Sequence, residues 1–185
     1  MRNNPKTYST FDINKKLHIK VDRLKDWMTR GFIIPSIQKA SGQGTKNIFS
    51  LDDLYLIKLF QYLVSKKGFS RDDAALRIRL IKDQHQMAQN YDKIRKNKLN
   101  RDGLVETKVK FENLKKIYFL VFYSVEDEKN AAAIHNLPPK VDAVILENGS
   151  EHNNSIIDLN RYRGCDEILV INFKIIREQV DSALI

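Results

Sequence analysis

KVDRLKDWMTRGFIIPSIQKASGQGTKNIFSLDDL (residues 20–54) decides the fold of the first half of this chain. Val21, Leu24, Trp27 and Met28 recur at helical spacing, which predicts a helix over about 20–30 with one apolar face. Lys20, Arg23, Lys25, Asp26 and Arg30 point elsewhere. Gly31 is a natural C-cap, and Pro35 prevents the helix from continuing. Two short strands, about 32–38 and 46–49, are expected to flank the turn ASGQGT (40–45). They would form a hairpin whose tip carries no bulky side chain. Ser50 then caps a new helix, and Asp53 three residues later makes a short-acid version of the capping box. The resulting order is a basic helix, a β-wing and a supporting helix.

Upstream of this stretch, residues 1–7 are polar. Ser9 or Thr10 can cap a short helix, FDINKKL (11–17), and His18 and Ile19 make the turn into the basic helix. Downstream, Leu51, Leu54, Ile57, Leu59, Phe60, Leu63 and Val64 make the third helix (50–66) strongly apolar, and Gly68 closes it. Ser70 caps a fourth helix, with Asp73 three residues on, and Phe69 is placed to staple onto Ala74. From Ile81 to about Leu99 the pattern stays helical with only a thin apolar stripe, as in a linker or coiled-coil partner. Asn100, Asp102 and Gly103 break it.

The period then turns strand-like. Strands are expected at 117–124 (IYFLVFYS) and 141–147, with another at 155–159 and one at 168–173 (ILVINF). A short helix is expected at 126–137 and a closing amphipathic helix at 174–184. The apolar runs 117–124 and 168–173 read as strands buried on both faces. The expected architecture is α+β. It has a four-helix winged helix-turn-helix domain over 1–82, a linker or dimerisation helix over 83–103, and a small α/β domain over 104–185.

Charge divides the same way. Residues 1–100 carry a net +12 and residues 101–185 a net −3. A basic half attracts polyanions, nucleic acid first and anionic membrane second, although a solvated lysine-rich surface looks the same in composition. The single cysteine, Cys165, permits no disulfide within the chain and no cysteine cage for zinc or iron–sulfur. His135, His152, Asp158 and Cys165 are not at metal-ligand spacing, so no metal or other cofactor is expected. IYFLVFYSV (117–125) is too short to span a membrane, and no signal-peptide run opens the chain, which points to a cytoplasmic protein without a membrane partner. There is no phosphate-binding glycine loop, no GxSxG and no HExxH, hence no enzyme signal. Glu126, Asp127 and Glu128 suit a helix start.

A helix in the major groove meets base edges with its exposed N-terminal side chains, so Lys20, Arg23 and Lys25 are the candidates there. Arg23 is the expected base reader, because a guanidinium fork matches two guanine acceptors. Lys25 and Arg30 suit phosphates. The wing tip from Ser41 through Thr45 and Lys46 to Asn47 can lie along the backbone or minor groove, with Lys46 supplying charge. Trp27 is expected in the core, with its edge near phosphate.

Several short elements in this order resemble the DNA-binding domain of the MerR family of bacterial transcription regulators, over roughly residues 8–82. They are Tyr8, Leu24-Lys25-Asp26-Trp27, Gly31-Phe32-Ile33-Ile34-Pro35, Phe49-Ser50-Leu51-Asp52-Asp53-Leu54 and Gly68-Phe69-Ser70. The chain departs from the family pattern at Lys25, where Arg is usual, at Asp26, where an aromatic is usual, and at Lys46-Asn47, which lack the wing's Arg. The resemblance implies a homodimer joined by the helix at about 83–99, reading a two-fold-symmetric duplex. It also implies contact with RNA polymerase at a promoter, and a small-molecule effector. Tyr118, Phe119, Phe122, Tyr123, Tyr162 and Phe173 could line an effector pocket, but aromatics of this kind more often fill a core. Two alternatives stay open. One is an excisionase-like architectural factor that bends DNA, disfavoured by the 81 residues from 105 to 185. The other is an interaction adaptor or antitoxin that uses the winged helix.

Overall fold

Three serines open three of the helices by one device. The computed structural model describes residues 6–95, 113–125, 140–145 and 165–185. Within it, Ser9, not Thr10, caps helix α1 (Thr10–Leu17): its hydroxyl accepts from the Asp12 amide at 3.2 Å, and the Asp12 carboxylate accepts from the Ser9 amide at 2.8 Å. The Ser9 hydrogen bonds hold the Asp12 carboxyl below its ordinary pKa. Ser50 and Asp53 repeat the box at the start of α3 (Leu51–Lys66). Ser70 and Asp73 pair at the start of α4 (Arg71–Arg95). The Ser9 and Ser50 boxes each satisfy two amides, and Ser70 satisfies that of Asp73, which a helix start otherwise leaves without partners.

Between α1 and α2 (Val21–Thr29) the chain turns at His18, the one non-glycine residue with positive φ (55°) among those described, and Asn14 Nδ2 braces the turn by donating to the Ile19 carbonyl at 3.0 Å. Helix α2 ends in a Schellman closure: Gly31 N–H bonds the Met28 carbonyl and Phe32 N–H bonds the Trp27 carbonyl. Gly31 sits at φ 74°, the left-handed conformation this closure needs.

The wing differs from the expected two-stranded hairpin. Residues 32–37 form no strand, and Gln38 makes only a single antiparallel bridge to Ile48. The reason is that the amides are committed elsewhere. Those of Phe32 and Ile33 close α2 on the Trp27 carbonyl, that of Ser36 bonds Asp53, and Pro35 has none. The returning strand β2 (Ile48–Phe49) instead pairs with β1 (Tyr8–Ser9), a strand the sequence reading did not place. The core beneath these elements holds Ile13, Leu17, Leu24, Trp27, Phe49, Leu59, Phe60 and Leu63, all buried.

Helix α4 has no Gly or Pro from 71 to 95, and it runs unbroken through the stretch read as a fourth helix and then a linker. Arg77, on its buried side, lies 4.2 Å over the Phe69 ring and donates to the Asp73 carbonyl.

In the second half, a single turn of tighter helix (Leu114–Lys116) leads into β3 (Ile117–Val125). It is flanked by β4 (Lys140–Ile145) and β5 (Cys165–Asn172) in the order β4-β3-β5, antiparallel throughout. An α/β unit in the sense of parallel strands is therefore not what the described strands make. Leu120, Val121 and Phe122 are buried in succession on central β3, as expected of a strand covered on both faces. On β5, Ile168 and Val170 are exposed while Ile171 is buried, so that strand has one open face, contrary to the sequence expectation. Phe122 and Phe173 are core residues. The expected helix at 126–137 and strand at 155–159 lie outside the described residues, as do Tyr162, His135, His152 and Asp158.

The closing helix α5 (Phe173–Leu184) starts directly after β5. The chain divides into two compact units, one of residues 1–78 with 175–185 and one of residues 79–174. The last helix thus belongs with the N-terminal elements, whereas in the sequence it closes the second half.

Candidate nucleic-acid interface

Helix α2 buries Leu24 and Trp27 and leaves Lys20, Asp22, Arg23, Lys25, Thr29 and Arg30 exposed. At 100° per residue, Asp22 and Thr29 fall near the middle of the outward face. Arg23 and Arg30 share one flank, and Lys25 lies on the other. Lys20 stands at the N-cap; its ammonium is a donor only and makes no capping hydrogen bond. The first turn of α2 therefore presents two cations, Lys20 and Arg23, beside the Asp22 carboxylate, a net positive charge that together with the helix N–H groups suits phosphate.

Two of the sequence candidates are tied down. Trp27 is 3 % exposed and meets the Phe60 ring edge-on at a centroid distance of 4.8 Å, so its ring supports α2 from beneath. Arg30 is paired with Asp26 at 2.7 Å, and Asp26 also meets Arg71 at 3.3 Å. Asp26, where the family pattern has an aromatic, thus links the end of α2 to the start of α4. Both pairs are exposed and each contributes little on its own.

The wing tip is closed by side chains. Thr45 Oγ1 accepts from the amides of Ser41 and Gly42 at 2.9 and 3.0 Å, and donates to the Gly42 carbonyl at 2.7 Å. Asn47 Oδ1 accepts from the Ala40 amide at 2.9 Å. The Thr45 hydroxyl and the Asn47 carbonyl therefore shape the loop. Lys46 is exposed at the tip, and so are Lys39 and Gln43, which the sequence reading did not single out. Their position in the turn was visible; their orientation was not.

At its base the wing is clamped to α3. The buried carboxylate of Asp53 accepts from the amide and hydroxyl of Ser36 and from the amide of Ser50. One residue thus fixes both the helix start and the point where the wing departs.

Elsewhere, an open groove of about 450 Å³ is lined by Lys58, Gln61, Tyr62, Ser65 and Lys66 of α3 and Gln179 of α5. Two amines and no carboxylate in this lining suit an anion. Among the described residues no cluster of three or more His, Cys, Asp or Glu could hold a metal, and no helix is long and apolar enough to cross a membrane.

Two helices joined by a tight turn, a wing held between β1 and α3, and a basic exposed helix face define a winged helix-turn-helix domain. Residues 8–81 match the family model of MerR HTH family regulatory proteins, so this part of the chain is similar to the helix-turn-helix domain of that family. This is a regulatory rather than an enzymatic family, and its helix-turn-helix domain implies DNA binding in transcription regulation. No curated protein matches the chain.

Proposed function

We propose that the protein is a sequence-specific transcription regulator that acts as a homodimer on a two-fold-symmetric duplex site. The observation that carries this reading is the exposed set Lys20, Arg23 and Lys25 on α2 with Lys39 and Lys46 on the wing, within a domain of MerR type. Arg23 reads a base edge, as a guanidinium fork can. Lys20, Lys25, Lys39 and Lys46 meet phosphates, which hold register without reading sequence. Ser41, Thr45 and Asn47 build the wing that carries Lys46 to the duplex, and Trp27 and Arg30 hold α2 in place for it. The dimer forms through the helix that continues beyond residue 82. Contact with RNA polymerase follows if the site lies in a promoter, and the α3–α5 groove is the place for an anionic effector.

Selection of bound sites from a random duplex pool tests the reading. An enriched inverted repeat is expected; enrichment of nothing, with salt-sensitive binding retained, would sink it. On the enriched site, Arg23→Ala should lose about 1–3 kcal/mol of discrimination between specific and random duplexes. Lys46→Ala should weaken both equally. Equal losses on both duplexes for both variants would show that the roles are misassigned.

A further inference from the structure

Helix α5 continues β5 with no loop between them: Asn172 ends the strand and Phe173 begins the helix. Yet residues 175–185 group with the N-terminal unit. Ile176 and Val180, one turn apart, are buried there. Tyr55 of α3 donates its hydroxyl to Asp181 Oδ1 at 2.7 Å, across 126 positions of sequence. Burial first, and then this hydrogen bond, pushes the Tyr55 phenol far above its ordinary pKa. On α3, Phe60 meets Trp27 and Tyr55 meets Asp181. Five residues separate these contacts, which places the two faces about 140° apart. Leu54, Tyr55, Leu56 and Ile57 are all buried, and a helix apolar on every side needs cover on every side. Helix α5 supplies that cover at Tyr55.

The same turns of α3 hold the wing. Tyr55 is two residues from Asp53, whose carboxylate fixes Ser36. Asp181 also acts electrostatically on Tyr8, in the strand β1 that pairs with β2, and Ile48 of β2 bridges to Gln38 of the wing. Docking of α5 rests on a narrow seam, for Ile175 is 49 % exposed and Asp181 and Ser182 are exposed. Such an element belongs to the low-stability end of a fold, where local opening occurs.

We propose that α5 is a strap whose docking on α3 holds the base of the wing in place. Docked on Tyr55, it holds the first turns of α3, and through Asp53 and β2 it holds Ser36 and Gln38. Released, it lets the wing loosen. Docking and release of the strap thereby set how firmly the wing is held. Its use in gene control rests on the regulator reading; the coupling itself belongs to the free protein.

Amide hydrogen exchange on the full chain without DNA tests it. Tyr55→Phe removes one hydroxyl and keeps the ring; Asp181→Ala removes the acceptor at an exposed position. Each should speed exchange about tenfold in α5 and at the Gln38 and Ile48 amides, in keeping with losing one hydrogen bond to a charged acceptor. Leu120 and Val121 of β3 should be unchanged, and the double variant should be no faster than either single one. Faster exchange in α5 with an unchanged wing would make α5 a purely structural helix and overturn the proposal. So would a uniform increase at all amides, or no change. The duplex selection judges the regulator reading separately: a chain that selects no site but shows the wing effect keeps the strap and loses the regulator.

Discussion

Asp53 shows how much one residue can fix in this chain. Its place three residues after Ser50 marks a helix start in the sequence, and that is the whole of what spacing can say about it. In the folded chain the same carboxylate is 3 % exposed and also holds the amide and hydroxyl of Ser36, seventeen residues earlier. No local pattern encodes that second partnership, because it depends on where the wing leaves α2. Asp53→Ala is therefore expected to cost more than a lost cap. It removes the acceptor for two backbone amides, in a region with little water to replace it. A loss of about 3 kcal/mol is expected by urea denaturation, against about 1 kcal/mol for an ordinary cap. Asp53→Asn keeps one carbonyl acceptor and should lose about half as much. A loss of 1 kcal/mol or less in the Ala variant would mean that Ser36 finds another partner and that the wing base is not held by this residue.

At the scale of elements, the helices were legible from their apolar period, from serine caps at the starts of α1, α3 and α4, and from the glycines that follow α2 and α3. Residues 20–30 predicted α2 (Val21–Thr29), and 50–66 predicted α3, to within a residue or so at each end. The wing was not legible in detail. Its apolar run 32–37 looks like a strand, but its amides are committed to α2 and to Asp53 before any ladder can form. The partner that β2 takes instead is Tyr8–Ser9, which is too short to carry a strand period. The candidate basic residues on α2 were legible as charges off the apolar face. The Asp26 link to Arg30 and Arg71 was not, because Arg71 lies 45 residues away. Trp27 is the element's test case, since an aromatic at this position could serve the core or the duplex. Its contact with Phe60 predicts a core role. Trp27→Phe should lower the urea midpoint with an unchanged m-value, at a cost of about 1–3 kcal/mol from the smaller ring. The dependence of duplex affinity on salt should stay as in the parent protein, because no phosphate contact is removed. A shallower salt dependence would return Trp27 to the interface.

For the whole molecule, composition indicated two electrostatically different halves, and the family match covers the basic one. What composition could not reveal is the return of residues 175–185 to the N-terminal unit. The amphipathic period of 174–184 shows that the helix buries one face, and says nothing about which partner covers it. The Tyr55–Asp181 hydrogen bond is a contact of long sequence separation with no motif around it. The number of copies of the chain on one duplex is likewise beyond the sequence, but counterion release can count it. Each lysine that neutralises one phosphate contributes about 0.9 to the slope of log affinity against log salt concentration. Lys46 is exposed at the wing tip, so one copy on DNA should lose about 0.9 when it becomes Ala, and two copies about twice that. The symmetric dimer therefore predicts that Lys46→Ala flattens the slope by about 1.8, with the same change on specific and random duplexes. A change near 0.9 would mean that a single wing engages the duplex, and the two-fold arrangement would have to be given up. No change would take Lys46 off the phosphate backbone altogether, leaving α2 as the source of the electrostatic affinity.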